Sequence, residues 1–338
     1  MTDLDPRAAP RLDFVRRSNG RDDIELERAS ADAGFRSYWR TRGLEPSRIV
    51  MDSPPDKEDV RPWLAVRELL LASGVRVPAV HASDVDAGFL LLEDLGRDTC
   101  LMVIDSNNAD ALFDQAITQL LRVQKVVPPS GFPRYDEALL ARELELFGEW
   151  FLGRHLGIHL DARQSAALAG VHRHLIDAML AQPQVLVHRD YMPRNLMPQG
   201  ADVAVLDFQD AVLGPLAYDP ICLFKDAFLS WPEARVHDWL AHYHARASDA
   251  GLPLPALARF RRDADLTGVH RHLKVIGIFA RLNYRDGKPR YLADVARFIA
   301  YLDHVLPCHA ELAPLADLIE QRVKPAMREL DRTAACAP

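Results

Sequence analysis

Between residues 24 and 95 the apolar positions first alternate and then recur at helical spacing. Ile24 to Ser30, Ser37 to Gly43 and Arg48 to Ser53 read as three short strands separated by turns, and Pro54-Pro55 stops the third. From Asp59 to Ser73 the residues Val60, Trp63, Leu64, Leu70 and Leu71 follow a helical period, with Gly74 as the stop signal. Val75 to His81 and Gly88 to Leu92 read as two further strands. The order β-β-β-α-β-β predicts an antiparallel sheet with one helix, ending near Leu95-Gly96. Residues 1–20 are polar, with a helix starting within Arg11 to Phe14.

After Asp98 the period becomes helical. Ala109 to Val126, Asp136 to Leu156, Ala162 to Leu180, Trp231 to Ala247 and Leu257 to Tyr284 each carry it. Val185-Leu186-Val187 and Val203-Ala204-Val205-Leu206 interrupt the helices as strands, with turn chemistry in Gln199-Gly200-Ala201-Asp202 between them. The pattern predicts an α+β chain: a sheet-rich lobe over residues 1–95, a hinge near 92–97, and a mainly helical lobe over 96–330.

Composition narrows the function. The 338 residues are 49% apolar and 26% charged, ordinary values for a chain long enough to form two lobes. A net charge of −7 argues against a nucleic-acid partner, which calls for a basic surface. No apolar run approaches the roughly 18 residues that span a bilayer, and the start lacks a secretory pattern, so no membrane partner and a cytoplasmic location are expected. Cys100, Cys222, Cys308 and Cys336 form no C-x-x-C pair and read as buried free thiols. The His172/His174, His242/His244 and His270/His272 pairs have no clustered acidic or thiol partners, which argues against a zinc site.

The chemistry sits at the two interrupting strands. His188-Arg189-Asp190-Tyr191-Met192-Pro193-Arg194-Asn195 reads H-R-D-x-x-x-x-N, and Asp207 follows after the second strand. Phosphoryl transfer needs a carboxylate to receive the acceptor's proton, and an amide plus a second carboxylate to hold Mg2+ against ATP phosphates. Asp190, Asn195 and Asp207 match those tasks in that order, presented by a strand, loop, turn and second strand. Asp210 and Asp219 are candidates for bracing the loop with His188 and Arg189, through backbone amides or the Arg189 side chain. Tyr191 is read either as a platform for a sugar ring or as packing. Arg194 is read as a phosphate or carboxylate contact or as a surface ion pair.

Asp190 to Asn195, Asp207-Phe208-Gln209-Asp210-Ala211, Gly214-Pro215 and Tyr218-Asp219-Pro220 together resemble the aminoglycoside phosphotransferase and choline kinase group of small-molecule kinases. Leu91-Leu92-Glu93-Asp94-Leu95-Gly96 is similar to that group's hinge and marks Glu93 and Leu95 as nucleotide-binding. The resemblance implies a bilobal protein-kinase-like fold with ATP bound in its cleft. Within the group, residues 187–197, 271–282 and 51–59 resemble the anomeric amino-sugar kinases of cell-wall recycling. Those enzymes use ATP to phosphorylate the C1 hydroxyl of N-acetylmuramate or N-acetylglucosamine. The resemblance therefore implies a small-molecule amino-sugar substrate, with a monomer or weak dimer expected. Other small hydroxylated acceptors (an aminoglycoside, choline or homoserine) and a nucleotide-binding pseudokinase are the alternatives.

Two departures from the kinase pattern matter. The loop after the first strand has one glycine, Gly34, where kinases have three; Ser30, Ala31 and Arg36 are its candidate phosphate contacts. Met51 stands where the third strand should carry a phosphate-binding lysine, so either Lys57 or Arg36 must supply that charge. Glu68 shares a stripe with Leu64 and Leu71; it is read either as the inward ion-pair partner or as an exposed glutamate. In the last long helix Val269, Leu273, Ile276 and Ala280 form an apolar face, with Arg271, Lys274, Arg281 and Arg285 on the other side. That basic stripe is either solvated or meets an anionic substrate such as the lactyl carboxylate of N-acetylmuramate.

Overall fold

The computed structural model describes residues 5–31 and 35–335; Gly34 and Cys336 lie outside them. The chain opens with α1 (Ala8–Asn19), β1 (Glu25–Ala31), β2 (Ser37–Arg42), β3 (Arg48–Asp52), α2 (Arg61–Ala72), β4 (Val80–Asp84) and β5 (Phe89–Glu93). Next come α3 (Cys100–Val103), α4 (Ala109–Gln124), α5 (Glu137–Leu146), α6 (Ala162–Leu180), β6 (Gln184–Val187), β7 (Leu196–Gln199), β8 (Asp202–Val205) and β9 (Val212–Pro215). The chain closes with α7 (Tyr218–Phe224), α8 (Glu233–Asp249), α9 (Leu257–Asp286), α10 (Val295–Val305), α11 (Ala313–Leu318) and α12 (Lys324–Ala335). These elements form two units, Met1–Val126 with Pro193–Ala211 and Val127–Met192 with Val212–Pro338.

The first unit is built on a five-stranded antiparallel sheet in the order β1-β2-β3-β5-β4. Phe14 and Val15 of α1 pack with Val50, Phe89 and Leu91, and Phe14 stacks on Phe89 at 5.6 Å. Arg7 and Arg11 both bind Asp52, at 2.6 and 2.7 Å, and tie α1 to the end of β3. The opening helix is thus longer than expected, because its apolar positions have a sheet to cover. The expected strand from Val75 begins only at Val80. Pro78 has no N–H for a ladder, and its carbonyl and that of Arg76 are instead taken by Arg67 and the Val205 amide.

The β7–β8 hairpin belongs to this unit. It pairs Leu196 with Val205 and turns through Gly200, whose φ is 67°. The strands expected at 185–187 and 203–206 both exist, yet they do not pair with each other. β6 pairs with β9 and β8 pairs with β7. Pro198 inside β7, and Gly214-Pro215 ending β9, hide both partners from a pattern search.

The second unit is helical around α9. This 30-residue helix was expected to bury one face; instead it is buried on several sides, from Phe260 to Ala280. A Cβ added to Gly277 would stand 2.4 Å from the Leu146 carbonyl carbon, so two helical backbones meet there. Directly after Leu146, α5 widens into a π-helical stretch over Phe147–His155, where a continuous α-helix was expected. The α6 boundaries match the expected ones, and Asp161 with Gln164 completes a capping box. Cys100 and Cys222 are buried free thiols, whereas Cys308 is exposed. No described helix is long and apolar enough to cross a membrane.

Candidate active site

In the first unit, the open end of the β7–β8 hairpin brings Asn195 and Asp207 side by side. The Leu206 amide donates to the Asn195 carbonyl at 2.9 Å, one residue before Asp207. Asp207 has φ 61°, a left-handed conformation costly for a side-chain-bearing residue. Its Oδ1 accepts from Gln209 Nε2 at 3.0 Å, and its side chain remains about one-third exposed (35%). Phe208 turns the other way and packs on Trp63 of α2, with ring centroids 5.0 Å apart. That anchor fixes the direction of Asp207.

Of the two cations expected to replace the charge missing from β3, Arg36 is the one that lies beside Asp207. Met51 is fully buried in the sheet, and Lys57 is half exposed beside Asp56. Arg36 has a side chain only 9% exposed, pairs with Glu58, and its Nη1 lies 4.0 Å from Asp207 Oδ1. Burial opposes its charge, but Glu58, Tyr38 and Asp207 hold it protonated. Of the two readings of Glu68, the structure agrees with the exposed one. The buried face of α2 is Trp63, Val66, Arg67 and Leu70, so Glu68 falls outside it, 64% exposed and paired with Arg67. The carboxylate that pairs with Arg36 is Glu58. Ser30 is exposed on β1, next in line to Ala31 at the strand end.

The expected hinge is fixed by side chains. Glu93 accepts from Arg76 at 2.5 and 2.8 Å, and Asp94 from Arg40 at 2.6 Å and Ser47 at 2.6 Å. The Leu95 carbonyl accepts from Gln199 Nε2 at 2.9 Å, which ties the hinge to the β7–β8 turn. Asp210 is exposed, and its side-chain contact is a 3.4 Å bond from Gln209, so it does not brace the loop. It sits in the solvent-facing turn that follows β8.

In the second unit, Asp219 braces the loop that carries Asp190. Its carboxylate accepts from the His188 amide at 2.7 Å and the Arg189 amide at 3.0 Å. Burial pushes it up to about 6 against the pull of His188 and the two amides. Arg189 has φ 75°, and its carbonyl accepts from the Cys222 thiol at 3.2 Å. The Asp190 amide donates to His188 Nδ1 at 3.3 Å, and the Asp190 carbonyl accepts from Met192. Tyr191 is fully buried, edge-on to His188 at 5.6 Å, which makes it packing and not an open sugar platform. Arg194, in the first unit, is exposed.

A buried ionic network lies behind that loop. Glu143 Oε1 accepts from Arg189 at 2.6 Å and from Lys274 at 2.8 Å, while Glu143 Oε2 accepts from the Tyr135 hydroxyl. Lys274 also donates to the Tyr218 hydroxyl at 3.1 Å. Burial would raise the Glu143 carboxyl, but Lys274, His270 and Arg189 hold it down at about 2. Lys274 is therefore neither solvated nor open to a substrate. Arg271 is also buried, donating to the Lys225 carbonyl at 3.0 Å. Arg281, half-buried, and Arg285, exposed, lie further along α9.

A family model described as "Phosphotransferase enzyme family" matches residues 25–261. The chain belongs to that family. An N-acetylmuramate/N-acetylglucosamine kinase of Pseudomonas putida is 54% identical over 297 residues, covering 88% of each chain. The fold is similar to an ADP-bound aminoglycoside phosphotransferase, with a TM-score of 0.56 and 16% identity over 88% of this chain and 98% of that one. It is also similar to a choline kinase of Streptococcus pneumoniae, with a TM-score of 0.59 and 14% identity over 86% and 98%. The protein-kinase-like fold expected from the motifs is the fold observed.

The phosphotransferase also contains residues that the motifs did not single out. Glu143 sits between Leu140, Leu144 and Phe147 on the buried stripe of its helix, a signal present in the sequence as a charge at a core position. Glu58 lies among Asp56 and Asp59 and has no such signal.

Proposed function

We propose that this phosphotransferase moves the terminal phosphoryl group of ATP to the C1 hydroxyl of N-acetylmuramate and N-acetylglucosamine. The observation that carries a phosphoryl-transfer role is the Asn195–Asp207 pair on one hairpin, with Arg36 Nη1 4.0 Å from the carboxylate. The name of the Pseudomonas putida relative supports the acceptor, and the ADP of the aminoglycoside enzyme supports an adenine nucleotide. A cytoplasmic location follows from ATP use and from the free thiols of Cys100 and Cys222.

Asn195 and Asp207 offer oxygen ligands of the kind Mg2+ takes, with room left for phosphate oxygens and water. When bound, Mg2+ offsets the charge that develops on the transferred group. Asp190 accepts the proton of the acceptor hydroxyl as the new O–P bond forms and the bond to the ADP oxygen breaks. The ring oxygen makes an anomeric hydroxyl more acidic than an ordinary alcohol, so Asp190 contributes as much by orientation as by basicity. Arg36 stands in for the absent lysine at the phosphates, and Asp219 and the Glu143 network fix the Asp190 loop.

The test is a transfer panel with N-acetylmuramate, N-acetylglucosamine, kanamycin and choline, with product position read by phosphorus NMR. A C1 phosphate on either amino sugar is the expected product. An ester at C6 rejects the anomeric assignment, and thermal stabilisation by ATP without turnover rejects the enzyme in favour of a binding module.

A further inference from the structure

Protein kinases carry their metal-binding aspartate in D-F-G, whose glycine has no side chain to offer. This chain reads Asp207-Phe208-Gln209, which sets a carboxamide two residues after the carboxylate. Gln209 Nε2 donates to Asp207 Oδ1 at 3.0 Å and to Asp210 Oδ2 at 3.4 Å. Arg36 Nη1 faces the same Asp207 oxygen from 4.0 Å, beyond hydrogen-bond reach, and acts on it by charge. All four residues belong to the first unit.

The carboxamide of Gln209 has one workable orientation. Turned over, it would set its oxygen against two carboxylate oxygens with no proton between them. As it stands, Gln209 Oε1 is buried and finds no donor among the described residues. A buried acceptor without a donor costs stability, and a thioether of similar length would avoid that cost. Folding therefore gives little reason for a glutamine here, whereas Asp207 gives one. Phe208, packed on Trp63 at 5.0 Å, fixes the backbone from which the Asp207 side chain leaves. The last torsion of an aspartate is broad even then, and the bond from Gln209 is what narrows it.

We propose that Gln209 is a positioning residue whose N–H sets the plane of the Asp207 carboxylate for Mg2+. The inference rests on the metal role proposed for Asp207. A carboxylate that ligates a metal is itself oriented by hydrogen bonds from residues behind it, and those partners set much of the affinity. The effect is confined to binding that involves the metal, since a nucleotide held without Mg2+ does not need that carboxylate in one plane. Glutamate would fill the same space, but it has no N–H to give and would bring a second negative charge against Asp207.

The test measures binding of a non-hydrolysable ATP analogue to the full chain by calorimetry, with Mg2+ and with EDTA. Wild type is compared with Gln209→Met, which keeps the size, and Gln209→Ala, which does not. Wild type binds the analogue tighter with Mg2+, and in both variants that gain falls about 10- to 100-fold. Affinity in EDTA is unchanged, and Gln209→Met melts no lower than wild type. A gain that survives in Gln209→Met, whatever Gln209→Ala does, makes Gln209 a packing residue and overturns the proposal. An equal loss with and without Mg2+ overturns it as well. Wild type whose affinity ignores Mg2+ rejects the metal role of Asp207 itself, and the positioning role with it.

Discussion

Arg189 and Asp207 are the non-glycine residues, among those described, with positive φ, at 75° and 61°. Each needs its side chain, so glycine, the residue that suits such backbone, is not an option. Asp207→Gly is expected to melt no lower than wild type while losing Mg2+-dependent transfer; a clearly lower melting temperature would show that the conformation carries no strain. Nucleotide affinity separates Glu58 from Glu68. Glu58→Gln loosens Arg36 and raises the KM for ATP about tenfold, whereas Glu68→Gln, on the exposed side of α2, leaves it within about twofold. Glu143 contributes a pH dependence. Its folded pKa of about 2 lies below the unfolded glutamate value, so its stabilisation is complete above about pH 4.5 and fades as pH falls towards 2. Urea midpoints should fall across that window by an equivalent of about 3 kcal/mol, and Glu143→Gln should flatten that slope. The motif residues were legible because each carries a spacing, while Glu58 was not, since its pairing with Arg36 depends on a neighbour distant in sequence.

At the scale of elements, hydrophobic period located the sheet of the first unit and most of the long helices. It failed where a neighbour overrode it. In β7 the paired strand contains Pro198, and α9 is buried on several sides because helices surround it. The basic positions of that helix were read as either a solvated stripe or an anion contact, yet Arg271 and Lys274 are core residues supported by Lys225, Glu143 and two tyrosines. Gly277 is the residue that permits this packing. Gly277→Ala should lower stability by about 1–3 kcal/mol in urea unfolding, since its methyl group meets the Leu146 backbone. Gly170, in the exposed part of α6 with open space around it, provides the opposite sign: Gly170→Ala should gain about 0.5–1 kcal/mol. Equal effects at the two glycines would contradict the close approach at Gly277.

At the scale of the whole molecule, the chain enters the first unit, leaves it at Val126, returns at Pro193 and leaves again after Ala211. The returning segment is structural as well as chemical. It gives Arg76 the Val205 amide, Gln119 the Asp202 carboxylate at 2.7 and 2.8 Å, Leu95 the Gln199 side chain, and Trp63 the Phe208 ring. A fragment of residues 1–126 should accordingly lack cooperative unfolding, while the same fragment joined through a flexible linker to residues 193–211 should regain it; calorimetry distinguishes the two. Recombination between genes of this family meets the same constraint. Exchanging the sheet-bearing half for a homologue's takes three breakpoints, after positions 126, 192 and 211, and a single crossover leaves a chimaera whose sheet and returning hairpin descend from different parents.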